Sequence, residues 1–172
     1  MLREATASEI EKLLLDLGAG NHADNVIVCK RFRQHFLVEL SPEDFLGLVF
    51  LQSTEVLGIC PIGDDRRLAA VTARAVRSIN RKLSPNWDLD QIWTKTKEAL
   101  SLERRISPLF LRDSSASEAN YGCWYLQDGL HRALGYAMFL LCEHVPYSAV
   151  EAYCATNSDL VTGFHADEGA PK

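Results

Sequence analysis

The 172 residues carry 18 Lys and Arg against 23 Asp and Glu, a formal net charge of −5, with 47% hydrophobic and 24% charged residues. That length suits a single domain with a proper core, and the acidic balance argues against a general nucleic-acid binder, whose footprint is basic. No apolar run reaches the roughly 18 residues of a membrane span, and the start reads as an acidic, capped helix and not a secretory leader, so a cytoplasmic protein with no membrane partner is expected.

Thr6 and Glu9 form a capping box ahead of Ile10, Leu13, Leu14 and Leu17, and Gly18 is placed to end that helix. Residues 26–32 and 35–40 are rich in β-branched and aromatic side chains around Arg33 and Gln34, which predicts a strand pair or one bent strand. Ser41, Pro42, Glu43 and Asp44 then supply an N-cap, a proline at the first helical position and an acidic first turn. Asp64 and Asp65 precede a helix with Leu68, Val71, Thr72, Ala75, Val76, Ile79 and Leu83 on one face. Ser84, Pro85 and Asn86 break it, and Asp88 begins another helix carrying Leu89, Ile92, Trp93, Thr96 and Leu100. Arg74, Arg77 and Arg81 stripe the first of these helices, which is the pattern of a solvated face or of a surface meeting an anion.

Residues 108–112 read as a further strand and 113–120, with three serines, as a loop. Cys29, Cys60, Cys123, Cys142 and Cys154 are odd in number and lack a CxxC pair, so they read as buried free thiols. His144 reads as a residue at a helix C-terminus and not as a zinc ligand with Cys142, and no metal site is assigned.

The most informative stretch is 121–154, YGCWYLQDGLHRALGYAMFLLCEHVPYSAVEAYC. Trp124, Tyr125 and Leu126 are strand formers, whereas Leu130, Ala133, Leu134, Ala137, Met138, Leu141 and Cys142 follow helical spacing. Gln127, at the polar end of the strand, is expected to tolerate truncation. The hinge Asp128-Gly129-Leu130-His131-Arg132 therefore forms a helix N-terminus. Such an end offers unpaired backbone N–H groups and a partial positive charge, and Gly129, His131 and Arg132 add close approach and donors, all suited to a phosphate. Asp128 is placed to cap the helix or to help hold a metal that accompanies the phosphate. The plainer reading is a turn with an N-cap.

The aromatic strand, D-G-x-H-R hinge, helix, the turn at Glu143 and His144, and the strand with Val145, Pro146 and Tyr147 together resemble the ParB/sulfiredoxin-like superfamily, in particular its free serine kinase branch. The resemblance covers roughly residues 106–154. It implies an α/β (α+β) fold, with helices around a mixed sheet in one domain over 1–154 and a divergent N-terminal helical part; residues 155–172, which lack periodicity and carry Gly163, Gly169 and Pro171, read as a flexible tail. Leu130 stands where sulfiredoxins carry their reducing Cys, so that chemistry has no nucleophile here. ParB proteins carry a Glu-Arg-Arg variant and a downstream DNA-reading domain, and the 18 residues after Cys154 are too few for one.

For activity, the resemblance implies a phosphotransferase acting on a small hydroxyl-bearing substrate. Asp128, Gly129, Leu130, His131 and Arg132 would hold the phosphates of ATP or ADP with Mg²⁺, and His131 would donate to the transferring group. Glu55, or second Glu43, would be the base. A non-catalytic nucleotide-sensing or protein-interaction module is the alternative, because the first hundred residues match the kinase branch poorly. A DNA-associated nuclease ranks third on charge, and a homo-oligomer or protein partner is compatible with either leading reading.

Overall fold

The structure is a computed structural model that describes residues 2–18, 22–51, 58–61, 64–80, 89–103, 105–113 and 124–157. Among them six strands, β1 (Leu2–Glu4), β2 (Gln34–Leu40), β3 (Val49–Phe50), β4 (Leu109–Asp113), β5 (Trp124–Asp128) and β6 (Val150–Thr156), form one sheet in the order β1-β2-β6-β4-β5-β3. β2 runs antiparallel to β1 and β6, β4 runs parallel to β6 and antiparallel to β5, and β3 runs parallel to β5. The expected α/β class with a mixed sheet is the architecture found.

The central strands β4 and β6 are apolar on both faces, which forces helices onto both sides. Leu109, Leu111, Val150, Ala152 and Cys154 join one buried cluster with α3 (Pro42–Gly47), α4 (Leu68–Asn80), α5 (Leu89–Glu103) and α6 (Leu130–Glu143). Phe110 and Ala155 instead meet Ile10 and Leu14 of α1 (Ala7–Asp16) and Val26 and Cys29 of α2 (His22–Cys29). The result is a three-layer body.

Local signals place several boundaries where the sequence puts them. Thr6 Oγ1 accepts from the Glu9 N–H at 3.2 Å while Glu9 Oε2 accepts from the Thr6 N–H at 2.8 Å, and Gly18 ends the helix at φ +59°. Ser41 Oγ accepts from the Asp44 N–H at 3.1 Å, with Pro42 opening α3. The predicted breaks at Ser84–Asn86, together with Leu83, Asp88, Cys123 and the loop after Asp113, lie outside the described residues.

Residues 22–29 are a helix, so Val26 to Cys29 do not form the strand predicted over 26–32. Asn25, Val26 and Cys29 are buried at three- and four-residue spacing while Ile27 is 52% exposed, a pattern only a helix against the sheet produces. Packing overrides the β preference of Val26, Ile27 and Val28. The N-terminal part is also less purely helical than expected, since it supplies β1, β2 and β3. At the other end Ala155 and Thr156, placed in the tail by sequence, are buried residues of β6, and 158–172 lie outside the described residues.

α6 packs through Ala133, Leu134, Ala137 and Met138 as predicted, but Leu141 is 48% exposed and Cys142 is exposed. A helix of 14 residues spans about 21 Å whereas the five-residue strands β4 and β5 span about 17 Å, so its last turn overshoots them. β5 and β6 share the sheet without being neighbours. β4 lies between them, so they run antiparallel to each other. The chain returns along α6 through residues 144–149, and two phenols fasten that return. Tyr136 Oη donates to the Ser148 carbonyl at 3.1 Å and accepts from its N–H at 2.7 Å, while Tyr147 Oη donates to the Leu40 carbonyl at 3.0 Å.

Two outcomes test this packing. A Cβ on Gly135 would collide with the Thr96 hydroxyl of α5, whereas one on Gly47 meets nothing within 4 Å. Gly135→Ala is therefore expected to cost about 1–3 kcal/mol in a denaturant titration, and Gly47→Ala to leave the midpoint almost unchanged. The second outcome concerns pH. Burial pushes the Cys29 thiol from 9.0 up to about 11, and moves Cys60 and Cys154 in the same direction. The folded state thus favours the protonated thiol, so this stability is full below pH 9 and is lost as pH rises towards 11, on the order of 2–3 kcal/mol for Cys29. Cys29→Ala should flatten that alkaline limb.

Candidate functional site

Between β5 and α6 the backbone turns at Gly129, whose φ of +93° is the left-handed region that suits glycine. An added Cβ there would also lie 2.6 Å from Leu109 Cδ2 and 2.8 Å from Arg132 Nη2, so both conformation and space require glycine. The N-cap Gly129 has no side chain with which to cap α6, and His131 is exposed on the first turn. Leu130 instead packs against the core.

Asp128 does not cap the helix, contrary to one sequence expectation. Its Oδ2 accepts from Arg132 Nη2 at 2.8 Å and its Oδ1 accepts from Asn25 Nδ2 at 3.3 Å. Asn25 Oδ1 in turn accepts from Gln127 Nε2 at 2.9 Å, and Gln127 Oε1 accepts from Arg112 Nε at 3.0 Å. Adjacent strand residues point to opposite faces, yet one amide reaches both Gln127 and Asp128. The register explains it: Phe110 pairs with Asp128 but Leu111 with Leu126, a bulge that re-aims the end of β5.

The Arg132 guanidinium folds back over Gly129. Nη2 also donates to the Pro108 carbonyl at 3.3 Å, and Nε is buried without a partner among the described residues. Arg132 therefore ties the starts of β4 and α6 together. It is not a free cation.

The other expected residues fare differently. Glu55 lies outside the described residues. β3 runs parallel to β5, so Leu51 leaves the sheet at the same end as Gly129. Glu43 is exposed on α3, which starts where β2 ends, three strands from β5 and on the order of 14 Å away along the sheet. Its charge and that of Asp44 add to the effect of burial in raising the Tyr147 phenol. Arg74 of the cationic stripe is held by Asp64 Oδ2 at 3.1 Å and the Asp65 carbonyl at 2.8 Å, Arg77 donates to the Ala73 carbonyl, and Arg81 is outside the described residues. Arg74 is thus engaged by its own chain, and Arg77 is exposed to solvent.

Asn25 is the member of this site that the sequence did not reveal. The strand reading of 26–32 left no reason to bring it to Asp128, and a single Asn carries no motif. A cavity of about 440 Å³ also lies elsewhere, between α5, α6 and the return segment, walled by Leu100, Phe139, Val145 and Pro146 with Lys97. Among the described residues no three His, Cys, Asp or Glu side chains gather as a metal cluster, and no helix is long and apolar enough to cross a membrane.

No protein-family model, curated protein or solved structure matches the chain. The site is therefore read from its own geometry. Gln127→Ala, expected from sequence to be harmless, should cost about 1–3 kcal/mol because it leaves the buried Asn25 carbonyl without its donor. A chemical-denaturation midpoint within error of the parent would show the relay to be dispensable.

Proposed function

We propose that the β5–α6 junction binds the phosphates of a nucleotide such as ATP or ADP, and that the chain is a phosphotransferase acting on a small hydroxyl-bearing molecule. The observation that carries this reading is the N-terminus of α6, where the N-cap is a left-handed Gly129 with no side-chain cap and the first turn bears an exposed His131. The D-G-x-H-R resemblance to the ParB/sulfiredoxin-like superfamily supports the same ligand class.

In this reading the amides of Leu130 and His131 take the phosphate oxygens, and the His131 imidazole donates to the group in transfer. Mg²⁺ would neutralise phosphate charge, with Asp128 as the carboxylate at the junction. It fits, since each Asp128 oxygen accepts from one donor, Oδ1 from Asn25 and Oδ2 from Arg132, and can accept another. Glu55 is the proposed base that activates the hydroxyl, since Glu43 lies three strands away from the junction.

A second reading, a nucleotide-sensing module without turnover, is favoured by one observation. Arg132, the residue best suited to neutralise transferring charge, is already paired with Asp128 at 2.8 Å.

One experiment separates the two. ATP, ADP and CTP are titrated with and without Mg²⁺, and phosphate release or transfer to a panel of small alcohols is followed. Binding with turnover, in which His131→Ala lowers kcat far more than affinity, supports the transferase. Binding without turnover supports the sensor, and no binding of any nucleotide removes both.

A further inference from the structure

We propose that Asp128 is a built-in competitor at this junction, keeping the Arg132 guanidinium paired over Gly129 until a phosphate takes the place of the carboxylate. Three observations carry the inference. Arg132 Nη2 spends its hydrogen bonds on Asp128 Oδ2 at 2.8 Å and the Pro108 carbonyl at 3.3 Å, and its Nε is buried with no partner among the described residues. A cation that gives up one good donor to reach an internal carboxylate is in a compromise geometry. The carboxylate cannot follow the guanidinium outwards, because Asn25, itself 5% exposed and anchored by Gln127, holds Oδ1 from the opposite layer of the fold. Finally, Gly129 leaves the space into which the guanidinium folds. Arg132 is thus the moving part and Asp128 the fixed one, and an incoming phosphate is a doubly charged rival for the same guanidinium.

The ion pair itself stands on the distances; its regulatory meaning rests on the phosphate-binding reading. The test has one arm for each. In the ligand-free protein, exchange of the Arg132 Nε–H with water is measured by NMR in wild type and in Asp128→Asn, with Asp128→Ala as a second variant. The inference expects slow exchange in wild type and clear acceleration in both variants, and unchanged exchange overturns it whatever binds. In the second arm inorganic phosphate and ADP are titrated in the presence of EDTA, which keeps divalent metals out of the comparison. Asp128→Asn should bind about tenfold more tightly than wild type, the gain should vanish in Asp128→Asn/Arg132→Ala, and Glu143→Gln, the same charge change at the far end of α6, should bind as wild type does. Equal or weaker binding by Asp128→Asn overturns the competition. Accelerated exchange with no phosphate binding by any variant keeps Asp128 as the lock on Arg132 and removes the phosphate reading alone.

Discussion

Everything at the candidate site depends on the paired central strands β4 and β6, which are apolar on both faces and so require a helical layer on each side. Phe110 and Ala155 draw α1 and α2 to one face, while Leu109, Leu111, Val150 and Ala152 hold α4, α5 and α6 on the other. Burying this much apolar surface outweighs local preference, and it makes the β-favouring Val26, Ile27 and Val28 part of a helix over 22–29. The same requirement carries Asn25 to the end of β5. The polar relay is a by-product of how the second layer is fastened.

The bulge between Phe110 and Leu111 is the link from that packing to chemistry. A regular ladder would send Gln127 and Asp128 to opposite faces, and α2 would meet only one of them. With the shifted register both converge on one buried amide, so the orientation of the Asp128 carboxylate is set from the α2 side while Arg132 approaches it from α6. Elements far apart in sequence, at positions 25, 112, 127 and 132, thereby share one hydrogen-bonded chain. Buried chains of this kind are sensitive to any member left unsatisfied, and Arg132 Nε has no partner among the described residues.

Which parts were legible in the sequence follows from how local their causes are. The capping box of Thr6 and Glu9, the cap at Ser41 and the strand–hinge–helix at 124–143 are decided within a few residues, and each stands where its pattern places it. The insertion of β4 between β5 and β6, the helical state of 22–29 and the exposure of Leu141 and Cys142 depend on contacts across the fold or on the relative lengths of a helix and the strands beneath it. No window of sequence contains those terms. The site divides the same way: Gly129, His131 and Arg132 were visible as a hinge, whereas Asn25 entered only through the packing of the opposite layer.

The motif also names side chains without stating which of them are already engaged. Read as a string, Asp128, His131 and Arg132 are two donors and a carboxylate awaiting a phosphate and its metal. In the folded chain the carboxylate and the guanidinium lie 2.8 Å apart, both largely withdrawn from solvent, and the net charge they offer a ligand is close to zero. The attraction left for an anion is that of the helix end, a partial charge of about half a unit spread over a few N–H groups. On the proposed phosphate-binding role, a nucleotide would gain the helix dipole at once and the full arginine charge only by separating the pair. Asn25, which fixes the carboxylate, would then bear on affinity as much as the residues that would touch the phosphate.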